Sequence, residues 1–413
     1  MRRRHSSSSF WWNWVMSERL GNLAAIHYGK SPSEVLDEDG QYPVVGTGGV
    51  YAKAKLPLFS SAIVVPRKGS LGKPWLVRGP VWPVDTTYAV VPNAGVNIDW
   101  LFFNLLNFDL TKLNEATGVP SISRNWLKKI KFAKQDETIQ KKIASILLTI
   151  DEAIEQIEAL IEKYSQIRAG MMQDLFTRGL FPDGKLRPTR SETPELYQET
   201  PIGWIPRDWE YGLLNEIANP ARPIVYGILM PGYGHDGGIP VVKVKDIKNG
   251  KIDLENLLLT SPIIDQEYRR SRLKPLDILL TIRGTVGRIC IVPDALEGAN
   301  ITQDTARIDV IDGDKIFFRF YLESDAARKH FSINTLGVAV QGINLSEVRK
   351  TPIVKPGLGE QKQISARISA IVDMIESEQV RLTKLKLQRS GLVGDLLTGR
   401  VAVKVGDSEP EHV

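Results

Sequence analysis

The decapeptide GMMQDLFTRG at 170–179 returns as GLVGDLLTGR at 391–400, 221 residues further on. Sliding the chain on itself by 221 keeps register without a gap from 140 to 177. Twelve of those 38 positions are identical: Gln140/Gln361, Lys141/Lys362, Ile143/Ile364, Ile150/Ile371, Ile154/Ile375, Glu155/Glu376, Lys163/Lys384, Arg168/Arg389, Gly170/Gly391, Asp174/Asp395, Leu175/Leu396 and Thr177/Thr398. No other feature constrains the fold as much, because a chain that writes one element twice is built from two copies of one unit.

The repeated element reads as a long helix. In the first copy Ile139, Ile143, Ile146, Ile150, Ile154, Ile157, Ile161, Tyr164 and Met171 fall mostly at steps of three and four. In the second copy Ile364, Ile368, Ile371, Ile375, Leu382, Leu385, Leu392 and Leu396 do the same, and neither stretch contains proline. Charged residues fill the other faces, which is the narrow seam of a coiled coil rather than a broad core face. Some 36 helical residues span about 54 Å at 1.5 Å per residue. A lone helix of that length leaves its stripe in water, whereas two copies in one chain cover each other.

The segments before each helix correspond more loosely. PRKGSLGKPWLV (66–77) is like TIRGTVGRICIV (281–292), and ATGVPSISRNWLKKIKF (116–132) is like TLGVAVQGINLSEVRKTPI (335–353). Short β-branched runs and turn-rich loops precede both, which predicts compact α+β domains. FPDGKLRPTRSETPELYQETP (181–201), rich in Pro, Thr and Glu, reads as a linker with little to bury. The order is therefore domain, helix, linker, domain, helix.

Composition limits what such a chain does. A net charge of +5 and a pI near 9.0 are compatible with a polyanionic partner. No run of about 18 apolar residues is present to cross a membrane. The single cysteine, Cys290, rules out a disulfide framework within the chain and fits a reducing cytoplasm. In GRICIVP it reads as a small buried hydrophobe. MRRRHSSSSFWWNWVM lacks the apolar segment and cleavage site of a signal peptide. It reads as a disordered leader or as a start placed before Met16, with Arg2–Arg4 in a solvated tail.

With these motifs assembled, the chain resembles the specificity (S) subunits of type I restriction–modification systems. TPIGWIPRDWEYGLLNEIA (201–218) is similar to the opening of a target recognition domain, and DILLTIRGTVGRICIV (277–292) to its strand–RGxxG–strand element. GVAVQGINLSEVRKTPIVKPGLGEQKQISARI (337–368) is similar to its exit into a helix, and GLVGDLLTGRV to the end of that helix. The resemblance covers 17–401. The chain departs from it where the first helix opens KQDETIQKKIA, without the proline and the Glu-Gln pair of KPGLGEQKQIS, and where Trp14 only roughly stands in for Trp209.

The resemblance implies an α+β fold with a pseudo-twofold internal repeat. Two target recognition domains, at 17–134 and 201–356, are each followed by a spacer helix, at 135–180 and 357–401, and the helices pack as an antiparallel coiled coil. A leader (1–16), a linker (181–200) and a tail (402–413) complete the chain. The implied role is non-catalytic: each domain reads one half of a split, non-palindromic target in double-stranded DNA. The helices dock two methyltransferase subunits, and restriction subunits attach through those. Arg168, Asp174, Arg389 and Asp395 are the partner-facing candidates. S-adenosylmethionine, ATP and Mg belong to the partners, and this chain binds no cofactor.

Reading DNA needs donors on base edges and cations on phosphates. The polar residues of the recurring loops supply them. In the first domain they are Lys68, Ser70, Lys73, Thr86, Thr87, Ser121, Ser123, Arg124 and Asn125. In the second they are Arg283, Thr285, Arg288, Gln303, Gln341 and Asn344, with Lys243 and Lys245 on phosphates. Rival structural roles stand beside these. Asn125 and Asn344 sit where a helix cap would, and the RGxxG glycines suit a hairpin turn. GTGGVY and RGTVGR lack the Gly-Lys-Ser/Thr ending of a phosphate-binding loop. NPAR (219–222) is not the Asn/Asp-Pro-Pro-Tyr/Phe motif of amino-methyltransferases. The five histidines have no metal-ligand spacing, and Asp294 and Glu297 read as a turn.

Overall fold

The structure, a computed structural model, describes residues 17–337 and 341–404. The leader with Arg2–Arg4, Trp14 and Met16, and the tail from 405 on, lie outside the described residues. The chain divides into two compact units, one holding the residues up to Ala159 together with those from Gln379 on, the other Leu160–Glu378. The division falls inside both long helices, so each unit holds one module and a half of each helix.

In the first unit a four-stranded antiparallel sheet runs in the order Ala24–Tyr28, Thr87–Pro92, Ala62–Pro66, Trp75–Val77. A three-stranded sheet has Tyr42–Gly46 between Gly49–Ala54, antiparallel, and Trp82–Pro83, parallel. The strands Ser17–Arg19 and Lys131–Ala133 pair where the chain enters and leaves the module. The second unit repeats each of these. Its four-stranded sheet is Val225–Tyr226, Thr305–Ile308, Ile278–Thr281, Ile289–Ile291. Its three-stranded sheet has Ile239–Val242 between antiparallel Leu258–Thr260 and parallel Asn300–Ile301, and its closing pair is Glu210–Leu213 with Pro352–Lys355. The expected α+β duplication is thus present strand for strand. Ala62–Pro66 and Ile278–Thr281 are buried at every position, as continuous apolar runs of strand length require.

The long helices span Glu137–Thr177 and Leu358–Leu396, and the Asp136 carboxylate caps the first by accepting from the Ile139 N–H at 3.0 Å. In the first unit Ile143, Ala144 and Leu147 from the start of one helix share a core with Val393, Leu396 and Leu397 from the end of the other. In the second unit Ile364 and Ile368 from the start of the second helix share a core with Met172, Leu175 and Phe176 from the end of the first. The helix halves therefore run antiparallel within each unit. Of the expected seam, Ile154, Ile157 and Ile371 are buried too, while Ile150, Tyr164, Leu382 and Leu385 are half-buried.

What fastens module to helix is one repeated side chain. Gln140, buried, accepts from the Asn97 N–H at 2.8 Å and donates to the Gln135 carbonyl at 2.8 Å. Gln361, buried, accepts from the Asp314 N–H at 2.8 Å and donates to the Pro356 carbonyl at 2.7 Å. Asn97 and Asp314 are the N-caps of the module helices Ile98–Asn107 and Lys315–Tyr321. In both units, then, the long helix satisfies the backbone of the residue that starts a module helix, where orphan donors gather.

The neighbouring position differs. Glu360 accepts from Arg187 at 2.5 Å, from the Leu180 N–H at 2.6 Å and from the Trp209 indole at 3.0 Å, and Arg187 also pairs with Asp208 at 2.7 Å. Ile139 stands at the matching place in the first helix. There Gln135 takes over, accepting from the Trp100 indole at 2.7 Å and donating to the Leu396 carbonyl at 2.9 Å. The segment 181–200 accordingly does not behave as a linker with little to bury. Arg187 is 4% exposed and Tyr197 is 2% exposed, and Tyr197–Thr200 forms a hairpin with Gly203–Pro206. The composition misled because the buried group is a cation whose partner, Glu360, is 173 residues away.

Cys290 is the buried hydrophobe expected; burial pushes its thiol up to about 12. No helix among the described residues is long and apolar enough to cross a membrane.

Replacing Glu360 with alanine leaves the buried Arg187 with only the exposed Asp208 as an ion-pair partner, so it is expected to destabilise the protein by about 3–5 kcal/mol. Asp208→Ala, at an exposed carboxylate, is expected to cost less than about 1 kcal/mol. Denaturant unfolding of both variants checks the contrast.

Candidate nucleic-acid interface

Three loops meet at one end of the first module's four-stranded sheet. The loop that leaves Ala62–Pro66 is held by Thr86, whose carbonyl accepts from the Lys68 N–H at 3.1 Å. On its other side the Gly69 N–H donates to the Pro120 carbonyl at 2.9 Å, and the Ile122 N–H to the Arg67 carbonyl at 2.9 Å. This lattice brings Lys68, Thr86, Ser121, Ser123 and Arg124 together, with Ser70, Lys73 and Asn125 exposed around them. Gly69 has φ +83°, so glycine suits this turn.

The second module repeats the lattice bond for bond. The Gly284 N–H donates to the Gln341 carbonyl at 2.8 Å, and the Ile343 N–H to the Ile282 carbonyl at 2.9 Å. Here the loops enclose a cleft of about 460 Å³ lined by Tyr226, Ile282, Arg283, Gln303, Gly342 and Asn344. Three expected residues thus converge from separate loops, and Arg283 lies 57% exposed at the edge, 4.0 Å from Asp304. Lys243 and Lys245 line a separate cleft of about 530 Å³ with Tyr233, His235 and Asn256.

Some expected residues have other work. Thr87 is fully buried and its hydroxyl donates to the Val84 carbonyl at 2.7 Å, so it cannot reach a ligand. Arg288, half-buried, donates to the Val244 and Ile247 carbonyls at 3.2 and 2.9 Å. It braces the turn that carries Lys243 and Lys245. Thr285 keeps an exposed side chain while its carbonyl accepts from the Thr281 hydroxyl. Ser123 caps the helix Arg124–Lys129 by accepting from the Asn125 N–H at 3.2 Å, so Asn125 is not the cap. Asn344 occupies the cap position of Leu345–Arg349, but its side chain makes no capping bond.

The NPAR segment is structural. Arg222 pairs with Asp277 and Asp309 at 2.8 Å each, and the Asn219 amide donates to Asp309 at 2.9 Å. Asp294 opens a short 3-10 turn, as read. The four helix candidates are all engaged within the chain: Arg168 with Glu323, Arg389 with Asp151, Asp174 with Arg178 at 3.1 Å and Asp395 with Arg400 at 3.8 Å. Among the described residues no group of three or more His, Cys, Asp and Glu could hold a metal.

Reading the sequence missed the residues that frame both sites. Tyr28 and Tyr226 end matching strands and are 46% and 41% exposed. Each precedes a glycine pressed against a neighbouring strand: a Cβ on Gly29 would lie 2.1 Å from the Val84 carbonyl oxygen, and one on Gly227 1.9 Å from that of Ile301. Around Tyr28 lie the guanidiniums of Arg67 and Arg124, each 4.9 Å from the ring centroid. The signal was the pair IHYG (26–29) and IVYG (224–227), too short to stand out.

Two modules of one topology, each fastened by an equivalent glutamine to one of two equivalent helices, define a class of tandem, internally duplicated proteins whose variable part is the loop set. The family described as type I restriction modification DNA specificity domain matches residues 13–163 and again 206–387, and the chain belongs to that family. It is 29% identical over 252 residues to the type I restriction enzyme EcoBI specificity subunit of Escherichia coli, which is 59% of this chain and 52% of that one. It is 25% identical over 415 residues to the MjaVIII specificity subunit of Methanocaldococcus jannaschii, 94% of this chain and 92% of that one. A crystal structure of the type I S subunit from M. genitalium shares the fold at a TM-score of 0.60 and 14% identity, covering 93% of this chain and 97% of that one. Both matched stretches of the chain are thus type I restriction modification DNA specificity domains.

The Asp309 carboxylate offers a check on the second module's frame. Burial alone would raise its pKa, but hydrogen bonds from Lys315, Asn219 and Arg222 outweigh that and hold it at about 2. The ordinary value is 3.8, so the folded pKa is depressed. The contribution, on the order of 2 kcal/mol, is complete above about pH 4 and lost as pH falls towards 2. Asp309→Asn is expected to flatten the acid limb of the stability profile, as followed by denaturant melts at stepped pH.

Proposed function

We propose that this chain reads a bipartite, non-palindromic target in double-stranded DNA, one half-site per module. Unread bases lie between the half-sites, at a spacing set by the long helices. A reader made of two identical halves would see a palindrome, because half-sites mirror protein symmetry. The observation that carries the reading is that the loop lattice is kept while the residues it presents have changed. In the repeat Asp85 corresponds to Gln303 and Arg124 to Leu345. Backbone held constant under altered side chains is what two different base sequences demand. A rigid helix pair suits a fixed gap better than a loop would.

The helices would also dock two methyltransferase subunits, with restriction subunits held through them. S-adenosylmethionine, ATP and Mg would then be bound by those partners, in the cytoplasm where the DNA is. Arg168 with Asp174 in one unit, and Arg389 with Asp395 in the other, would shape equivalent docking surfaces, the arginines held half-buried by internal pairs.

Methylome sequencing of cells that express this chain with its methyltransferase subunit is expected to give one split, non-palindromic motif. A complex that forms but methylates nothing would sink the reading and favour a scaffold that binds no DNA. Binding of the complex to the motif is also expected to be steeply salt-dependent, falling by about 10³-fold or more between about 50 and 200 mM salt in a titration of labelled duplex.

A further inference from the structure

The two modules place the same tyrosine at the same point and then part company around it. In the first, Arg67 donates to the Asp85 carbonyl at 2.8 Å and its guanidinium lies over both Tyr28 and Tyr88, 4.9 and 5.8 Å from their centroids. In the second, the strand register puts Ile282 where Arg67 stands and Ala306 where Tyr88 stands. Loss of that ring and that guanidinium leaves the cleft beside Tyr226. The first module instead presents a filled, cationic surface with Arg124 at its edge.

Arg124 differs from the lysines near it. Lys68 and Lys73 are exposed single charges. Arg124 is half-buried over the Tyr28 ring, at the first position of a helix capped by Ser123, and its guanidinium makes no hydrogen bond among the described residues. A phosphate needs only a nearby cation, and phosphate contacts carry no sequence information. A planar fork already laid against an aromatic face is preorganised for paired acceptors. In the major groove that pattern is guanine, with O6 and N7 side by side. The repeat points the same way. A phosphate contact serves any sequence, so Lys68 and Arg283 both keep a cation, whereas the Arg124 position becomes Leu345.

We propose that Arg124, laid on Tyr28, is a specificity-determining residue of the first module and reads one guanine in its half-site, with Arg67 and Tyr28 as positioning residues. This rests on the reading above that the first module contacts one half of a split target.

The test is methylome mapping of the full complex with the wild-type chain, Arg124→Lys, Arg124→Ala and Tyr28→Leu. Arg124→Lys keeps the charge and loses the fork, so it is expected to cut the preference at one guanine of one half-site by about 10-fold or more, with the other half-site unchanged. Arg124→Ala is expected to do the same, and Tyr28→Leu to weaken the same position and no other. The untouched half-site reports that each variant folds and assembles. If Arg124→Lys reads the wild-type motif unchanged, or if Arg124→Ala lowers methylation at every site alike, Arg124 is not a base reader and the proposal falls. If Arg124→Ala fails to assemble, Arg124→Lys alone decides. If the wild-type chain gives no split motif, the reading of the whole protein fails instead, and this proposal with it.

Discussion

The bond from a buried glutamine to the backbone N–H that starts a module helix holds this structure to its plan. Gln140 makes it to Asn97 and Gln361 to Asp314, both at 2.8 Å. A buried amide must satisfy its oxygen and its nitrogen at once. Each glutamine does so by reaching out to the module and back to the residue two positions before its own helix. The geometry closes only when helix, module and the turn between them are all in place. Apolar packing around the helix ends supplies most of the cohesion, but it is non-directional. The glutamine is what gives it register.

A frame fixed in this way leaves the loops free to vary. The backbone lattice that ties residues 67–69 and 282–284 to their neighbouring loops is the same in both modules, since it is made by main-chain N–H and carbonyl groups. Gly29 and Gly227 complete it by letting two strands approach more closely than any side chain would permit. On that lattice Arg67 and Tyr88 become Ile282 and Ala306, and a filled cationic surface becomes a cleft. The exchange reaches into the core, since Tyr88, Ile282 and Ala306 are all buried.

The frame itself is not perfectly symmetric. Glu360 gathers Arg187, Trp209 and the Leu180 N–H, while Ile139 at the matching place gathers nothing polar and Gln135 does the fastening. The difference follows from what comes next in the chain. The first helix runs on into a second module, and the buried Arg187 holds that passage against the second helix. The buried Arg187 is met by the carboxylates of Glu360 and Asp208, and the Glu-Gln pair appears in the helix that Arg187 packs against.

The repeat, the two helices, the order of the modules and the buried cysteine were legible in the sequence because each is carried by local signals: an ungapped identity, a 3.6-residue period, an apolar run. Most of the loop residues that meet at the candidate interface were legible too, since the loops recur. Only the tertiary structure decided which of them are free. Thr87 is spent on a turn and Arg288 on two carbonyls 41 and 44 residues away. Tyr28 gains its role from Arg67 and Arg124, which the sheet and the 115–124 loop bring to its ring from distant parts of the chain. A polar side chain's availability depends on partners distant in sequence, and no period or motif along the chain records where those partners will lie.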